Sequence, residues 1–169
     1  MKYRLYVNGK CKNTRKLIGS IGIGGVIIND DGKEISFSKT LGAGTCCEAQ
    51  IYAVFYGIEE ILKLNDAEDI KVYLSNLALV NYFNGENSEI SKNSEILAKK
   101  LKEYINKLKV KITFAYFDVR DYMYISSLAE EAIKAAIDDY KRKNGIPTDE
   151  NCASCSNKCE DIHRIEEEE

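Results

Sequence analysis

No stretch of the 169 residues is long and apolar enough to cross a membrane. The longest apolar run, IYAVFYGI at 51–58, falls far short of the ~20 residues a spanning helix needs. MKYRLYVNGK at the start lacks the apolar region of a secretory signal, which points to a cytoplasmic address. Thiols stay reduced there, so the six cysteines read as metal ligands or small core residues rather than disulfides. The single proline and the absence of tryptophan describe composition, not function. Acid is missing from one stretch: the first sixteen residues hold Lys2, Arg4, Lys10, Lys12, Arg15 and Lys16 and no carboxylate. The opposite imbalance lies at 148–169, where Asp149, Glu150, Glu160, Asp161 and Glu166 to Glu169 outweigh Lys158 and Arg164. That segment carries −6 of a chain total of −3, which leaves +3 on residues 1–147. A mildly basic domain with an acidic tail is the resulting picture, split at 1–147 and 148–169. The basic start suits a phosphate-binding face equally with an edge strand whose lysines block aggregation.

The hydrophobic pattern alternates, then turns helical. YRLYV at 3–7 reads as a strand running out into Asn8-Gly9, a turn dipeptide. GSIGIGGVIIND at 19–30 reads as a second strand, and Asp31-Gly32 as the turn into a third, KEISFSKTL. CEAQIYAVFYGIEEILKL at 47–64 has helical apolar spacing, with Thr45 as its cap. A strand at 69–75, a short helix across NLALVNYF, a long helix at 94–107, a strand at 109–117 and a closing helix at 124–143 complete the order. Asn144-Gly145 and Pro147 end that last helix. Three antiparallel strands followed by alternating helices and strands predict an α/β fold with a five-stranded mixed sheet and helices on both faces.

Read in order, YVNGKCKN, GIGGVIIND, TCCEAQIYAVFYGIEEIL, VYLSNLALVNYF and SLAEEA resemble a type 1 ribonuclease H domain over residues 1 to about 140. The family's first strand ends Asp-Gly where this chain has Asn8-Gly9. Thr45, Ala49, Ala53, Gly57 and Glu59 keep the register of its first helix and put Gln50 at the family's glutamate. Asn76 stands at the aspartate after the fourth strand, and Ser126 at the aspartate of the last helix. The resemblance implies an enzyme that cuts the RNA strand of RNA–DNA hybrids with two Mg²⁺ ions held by those four carboxylates. Magnesium is a hard cation, and two ions ~4 Å apart need several anionic oxygens around them. Asn8, Gln50, Asn76 and Ser126 supply no charge, so no catalytic magnesium is expected and the four positions read as a degenerate cleft. The amide at position 8 stands where the resemblance puts a catalytic aspartate. A plainer reading is that amides are the easiest neutral fit where carboxylates would repel without metal. Glu48 lies on a different helix face from Gln50, and Asp118 and Asp121 fall in a loop, so none of them replaces the lost charges. The family's hybrid-contacting asparagines after the threonine are Cys46 and Cys47 here.

The tail has its own pattern. Cys152, Cys155, Cys159 and His163 offer three thiolates and an imidazole, the soft ligand set of a tetrahedral zinc site, with an iron–sulfur cluster as the lesser fit. On a continuous helix the outer pair would lie ~16 Å apart, so a structural zinc requires a turn, which Asn157 would supply. The leading functional expectation is an inactive ribonuclease H-like domain that binds nucleic acid, RNA–DNA hybrid or double-stranded RNA, without cleaving it. Lys10, Lys12, Arg15 and Lys16 of the first loop and Lys99, Lys100 and Lys102 of the second long helix are the expected phosphate contacts. The alternative is a protein-interaction or assembly module that uses the old cleft or the tail, and a third reading keeps residual hybrid cleavage. Neither the partner nor the oligomeric state follows from the sequence.

Overall fold

The computed structural model describes residues 1–12, 20–143 and 145. Three strands, β1 (Lys2–Lys12), β2 (Ser20–Asn29) and β3 (Glu34–Ala43), form an antiparallel meander. Helix α1 (Cys46–Leu62) leads to β4 (Asp69–Leu74), helices α2 (Leu77–Phe83) and α3 (Lys92–Asn106), β5 (Lys111–Tyr116), a single 3-10 turn at Val119–Asp121 and α4 (Met123–Lys143). The sheet order is β3-β2-β1-β4-β5, with β4 and β5 parallel to β1 and to each other. This is the predicted five-stranded mixed sheet. Among the described residues no helix is long and apolar enough to cross a membrane.

The first strand corrects the sequence reading. β1 does not stop at Val7 but runs on through Asn8-Gly9 to Lys12, with Asn8 opposite Gly24 and Lys12 opposite Ser20. Gly9 has no positive φ and makes no turn. Its use is steric: a Cβ there would lie 2.4 Å from the backbone carbon of Ala49, so only glycine lets α1 rest directly on the strand. Lys10 and Lys12 are therefore strand residues, not loop residues.

The two faces of the sheet are covered differently. Tyr3, Leu5, Val7 and Cys11 join Ile51, Val54, Ile58 and Ile61 of α1 in one core, which α2 and α3 extend through Leu79, Phe83, Ala98 and Leu101. On the other face, a Cβ on Gly22 would lie 2.7 Å from the Ala129 carbonyl oxygen, and one on Gly24 2.7 Å from the Ala129 nitrogen. Two glycines in β2 thus seat the backbone of α4 against the sheet. Ile125, Ser126, Ala129, Ala132 and Ile133 form the buried stripe of that helix. Thr45 caps α1 as expected: its Oγ1 accepts from the Glu48 amide at 3.1 Å and donates to the Glu48 carboxylate at 3.2 Å.

Candidate functional site

β1 and β4 run side by side as far as Val7 and Leu74 and then part. Beyond that point β1 keeps its pairing with β2, while the Leu74 carbonyl accepts from Phe117 next to β5. The fork opens at the C-terminal ends of two neighbouring parallel strands, where the chain order reverses across the sheet. In open α/β sheets that crevice is where ligands bind.

Asn8 is the first residue past the last β1–β4 pair and is buried. Its Oδ1 accepts from the Gly9 amide at 3.0 Å and from the Ser75 hydroxyl at 3.2 Å. Asn76, next to Ser75, caps α2, its Oδ1 accepting from the Leu79 amide at 3.2 Å. Gln50 is brought in by the Gly9 contact, since a Cβ on Gly9 would lie 2.5 Å from the Gln50 nitrogen. The Gln50 Oε1 is buried and has no hydrogen-bond partner among the described residues. Ser126 is buried on the sheet-facing stripe of α4, one turn before the Ala129 contact with Gly24, and Gly24 is the partner of Asn8. Asn8, Gln50 and Asn76 thus border the fork from three elements, and Ser126 approaches it from the α4 side.

These residues do not fit a pair of magnesium ions. The Asn8 oxygen already accepts two internal hydrogen bonds, the Asn76 oxygen holds a helix cap, and none of the four side chains is anionic. Amide oxygens can ligate a hard cation but cannot offset the repulsion between two of them. The nearby carboxylates are committed elsewhere. Glu48 closes the capping interaction with Thr45. Asp118 accepts from the Arg120 guanidinium at 2.7 Å and from its backbone amide at 2.9 Å, and these bonds hold its carboxyl below the usual range. Among the described residues no group of three or more Asp, Glu, His or Cys side chains is arranged to hold a metal.

The two cysteines in the place of hybrid-contacting asparagines turn inward. The Cys46 sulfur lies 2.6 Å from that of Cys11, which is buried in β1. Cys47 bonds to Ser94 of α3, and burial pushes its thiol pKa up. Among the described residues, Lys10 and the α3 lysines lie on different sides of the sheet. Lys10 pairs with Glu130 of α4 at 2.5 Å. Lys99 lies 3.9 Å from Glu95, and Lys102 sits 4.8 Å above the Tyr82 ring. Those α3 lysines belong to the layer on the α1 side, opposite Lys10. Arg15, Lys16, Cys152, Cys155, Cys159 and His163 lie outside the described residues. Sequence reasoning passed over the apolar rim of the fork. Leu77, Tyr116, Met123 and Tyr124 are exposed where α2 begins, β5 ends and α4 begins.

No family model and no curated protein matches the sequence. Solved structures do match. LC11 ribonuclease H1, isolated from compost and bound to an RNA/DNA hybrid, superposes with a TM-score of 0.68 at 19% identity, over 80% of this chain and 99% of that one. The ribonuclease H1 of the halophilic archaeon Halobacterium salinarum gives 0.68 at 16% identity, again over 80% and 99%. The foamy viral protease–reverse transcriptase with an RNA/DNA hybrid gives 0.61 at 17% identity, over 78% of this chain and 20% of that one. Similarity at these identities establishes the fold, and the chain has the ribonuclease H-like fold.

Proposed function

We propose that this chain, built on the ribonuclease H fold, is a nucleic-acid-binding domain without a hydrolytic site. One observation carries the inactive half of that reading: none of the four side chains is anionic, and Asn8 Oδ1 and Asn76 Oδ1 accept from Gly9, Ser75 and Leu79 of the protein itself. A two-metal hydrolase needs those lone pairs turned outward and charged. The binding half is supported by fold neighbours whose structures contain RNA/DNA hybrids and by the net positive charge of residues 1–147. The bound nucleic acid on this reading is an RNA–DNA hybrid or a double-stranded RNA. A second reading, a protein-interaction module at the same end of the sheet, is favoured by the exposed Leu77, Tyr116, Met123 and Tyr124.

The test combines loss and restoration. The purified chain with Mg²⁺ or Mn²⁺ should leave a labelled RNA–DNA hybrid uncut while retarding it in a binding titration. The fourfold variant Asn8→Asp, Gln50→Glu, Asn76→Asp, Ser126→Asp should gain a Mg²⁺-dependent rise in melting temperature that the parent lacks. Metal-dependent cleavage by the parent, abolished by Glu48→Gln or Asp118→Asn, would mean that the site has been rebuilt from other carboxylates.

A further inference from the structure

The side of the sheet away from α1 carries a second surface, and the strand pairings lay it out in rows. Lys2 pairs with Asp69 and Asp69 with Lys111. Arg4 pairs with Lys71 and Lys71 with Thr113. Tyr6 pairs with Tyr73 and Tyr73 with Ala115. Paired residues project from the same face of a sheet, so these side chains form one grid, and Asn8 opens the next row above it. Helix α4 crosses β1, β2 and β3. The helices packed on β4 and β5 come from the other side, where Leu79 and Phe83 of α2 meet Val72 and Leu74.

Two features of this grid point to a ligand. Lys2, Arg4, Lys71 and Lys111 are exposed, and among the described residues none of their side chains is in a salt bridge. Lys2, Arg4 and Lys71 line a shallow cavity of about 360 Å³ together with Asp30 and Asp69. Asp30 and Asp69 lie at its lower end; the Arg4–Lys71–Thr113 stretch contains no acid, and the row reaches one only two strands away, at Glu34 beyond Ile28. Successive rows are ~6.7 Å apart, two residues along a strand, so phosphates held on the Arg4–Lys71 row lie one row below the Tyr73 ring. The second feature is aromatic. The Tyr6 and Tyr73 rings stack at 4.4 Å and 7°. The other face of Tyr73 lies on the side of Ala115, whose methyl is small, and the mobile Lys71 side chain places Nζ over the ring, 5.3 Å from its centre.

We propose that this open sheet face binds single-stranded nucleic acid, with phosphates on Arg4 and Lys71 and a base stacked on Tyr73 above Ala115. A duplex keeps its bases stacked inside and offers nothing to that ring, whereas a single strand presents both charge and π-face. On the β1 side Tyr6 is covered by Phe117 and Tyr122, with ring centres 5.5 and 5.4 Å away, so a strand between the fork and the Arg4–Lys71 row would run along the β4–β5 side, over Tyr73 and Ala115. This surface is distinct from the fork, and the two can fail separately.

Fluorescence anisotropy of the full chain with labelled U15 and dT15, in low salt, tests it. Arg4→Glu with Lys71→Glu should weaken binding at least tenfold. It should also flatten the slope of log K against log salt by about 1.4, at ~0.7 per phosphate contact on a single strand. Ala115→Leu should weaken binding about tenfold by covering the ring while leaving the slope unchanged, within the range for one lost base–aromatic stack. Blunt RNA–DNA hybrid binding should change less than threefold in either variant, so failure there speaks to the fork alone. Circular dichroism melts check that each variant is folded, and Lys71→Gln replaces the double reversal if it is not. Preference for U15 or dT15 would assign RNA or DNA. Absence of binding to both, or no effect of Ala115→Leu, would overturn the proposal. So would equal weakening by Lys99→Glu with Lys100→Glu, which would reveal mere surface charge.

Discussion

Consecutive residues of β1 live under opposite constraints. Tyr3, Leu5, Val7, Gly9 and Cys11 meet the α1 layer, where every side chain is buried and each volume is specified by its neighbours. Lys2, Arg4, Tyr6, Asn8 and Lys10 look the other way and meet mixed surroundings: solvent for Lys2 and Arg4, the rings of Tyr73, Phe117 and Tyr122 for Tyr6, the fork for Asn8 and a carboxylate of α4 for Lys10. The contrast teaches that the odd side specifies the fold and the even side is free to carry function. It also shows two treatments of polar groups four residues apart on the same side of β1. The Asn8 oxygen has found all its donors inside the protein, while the Arg4 guanidinium has no acid paired to it among the described residues. Charge is absent at Asn8 and present at Arg4.

The largest expected effect breaks the odd side. Leu5 is fully buried, and a Cβ on Gly57 would lie 2.6 Å from its Cδ1, so the helix is pressed onto this side chain. Leu5→Ala should cost about 3 kcal/mol in urea denaturation, from lost transfer energy plus the cavity. Arg4→Ala, one residue away on an exposed position, should change stability by less than ~0.5 kcal/mol. Equal costs would show that the even face is packed after all and unavailable to a ligand.

A smaller effect sharpens the same comparison through pH. The Tyr3 hydroxyl donates to Asp66 at 2.5 Å, and burial together with that carboxylate pushes its pKa up to about 12. The fold therefore prefers the protonated phenol. Its contribution is complete below pH 10, where the unfolded tyrosine is also protonated, and is lost as pH rises through 12. Tyr3→Phe should cost about 1.5 kcal/mol at pH 7, the value of a hydrogen bond to a charged group. The variant should also lose less stability than the parent between pH 10 and 12. Parallel pH profiles for the two proteins would remove Tyr3 from that role.

Legibility followed the same odd–even division. The α1 core was readable because apolar spacing at Ile51, Val54, Ile58 and Ile61 is a local signal, and Thr45 was readable as a cap for the same reason. The extent of β1 was not. Asn8-Gly9 is a strong turn dipeptide in isolation, and only the pairing with β2 and the seat of α1 on Gly9 override it. The resemblance named Asn8, Gln50, Asn76 and Ser126, and the first three border the fork. The hydrogen bonds that occupy Asn8 and Asn76 depend on Ser75 and Leu79, and no spacing rule reveals them. The sheet-face grid was equally hidden, because Arg4, Lys71 and Thr113 meet only through register.

The smallest expected effect concerns the lysines of α3. Sequence reasoning named Lys99, Lys100 and Lys102 as phosphate contacts without placing them in space; Lys99 faces Glu95 and Lys102 covers Tyr82, in the layer on the α1 side. At ~0.1 M salt the screening length is ~10 Å, so charges across the thickness of a sheet and a helix act weakly on a strand bound to the far face. Reversing all three should therefore weaken single-strand binding by less than about threefold and leave the salt slope almost unchanged. Deleting residues 148–169 should act in the opposite direction. A segment of net −6 competes with a polyanion for the same cations, so its removal should raise affinity by about threefold at low salt and less at high salt. If the α3 reversals instead match Arg4→Glu with Lys71→Glu in both affinity and slope, binding follows net charge rather than the grid, and the distinction between the two faces of β1 has no bearing on recognition.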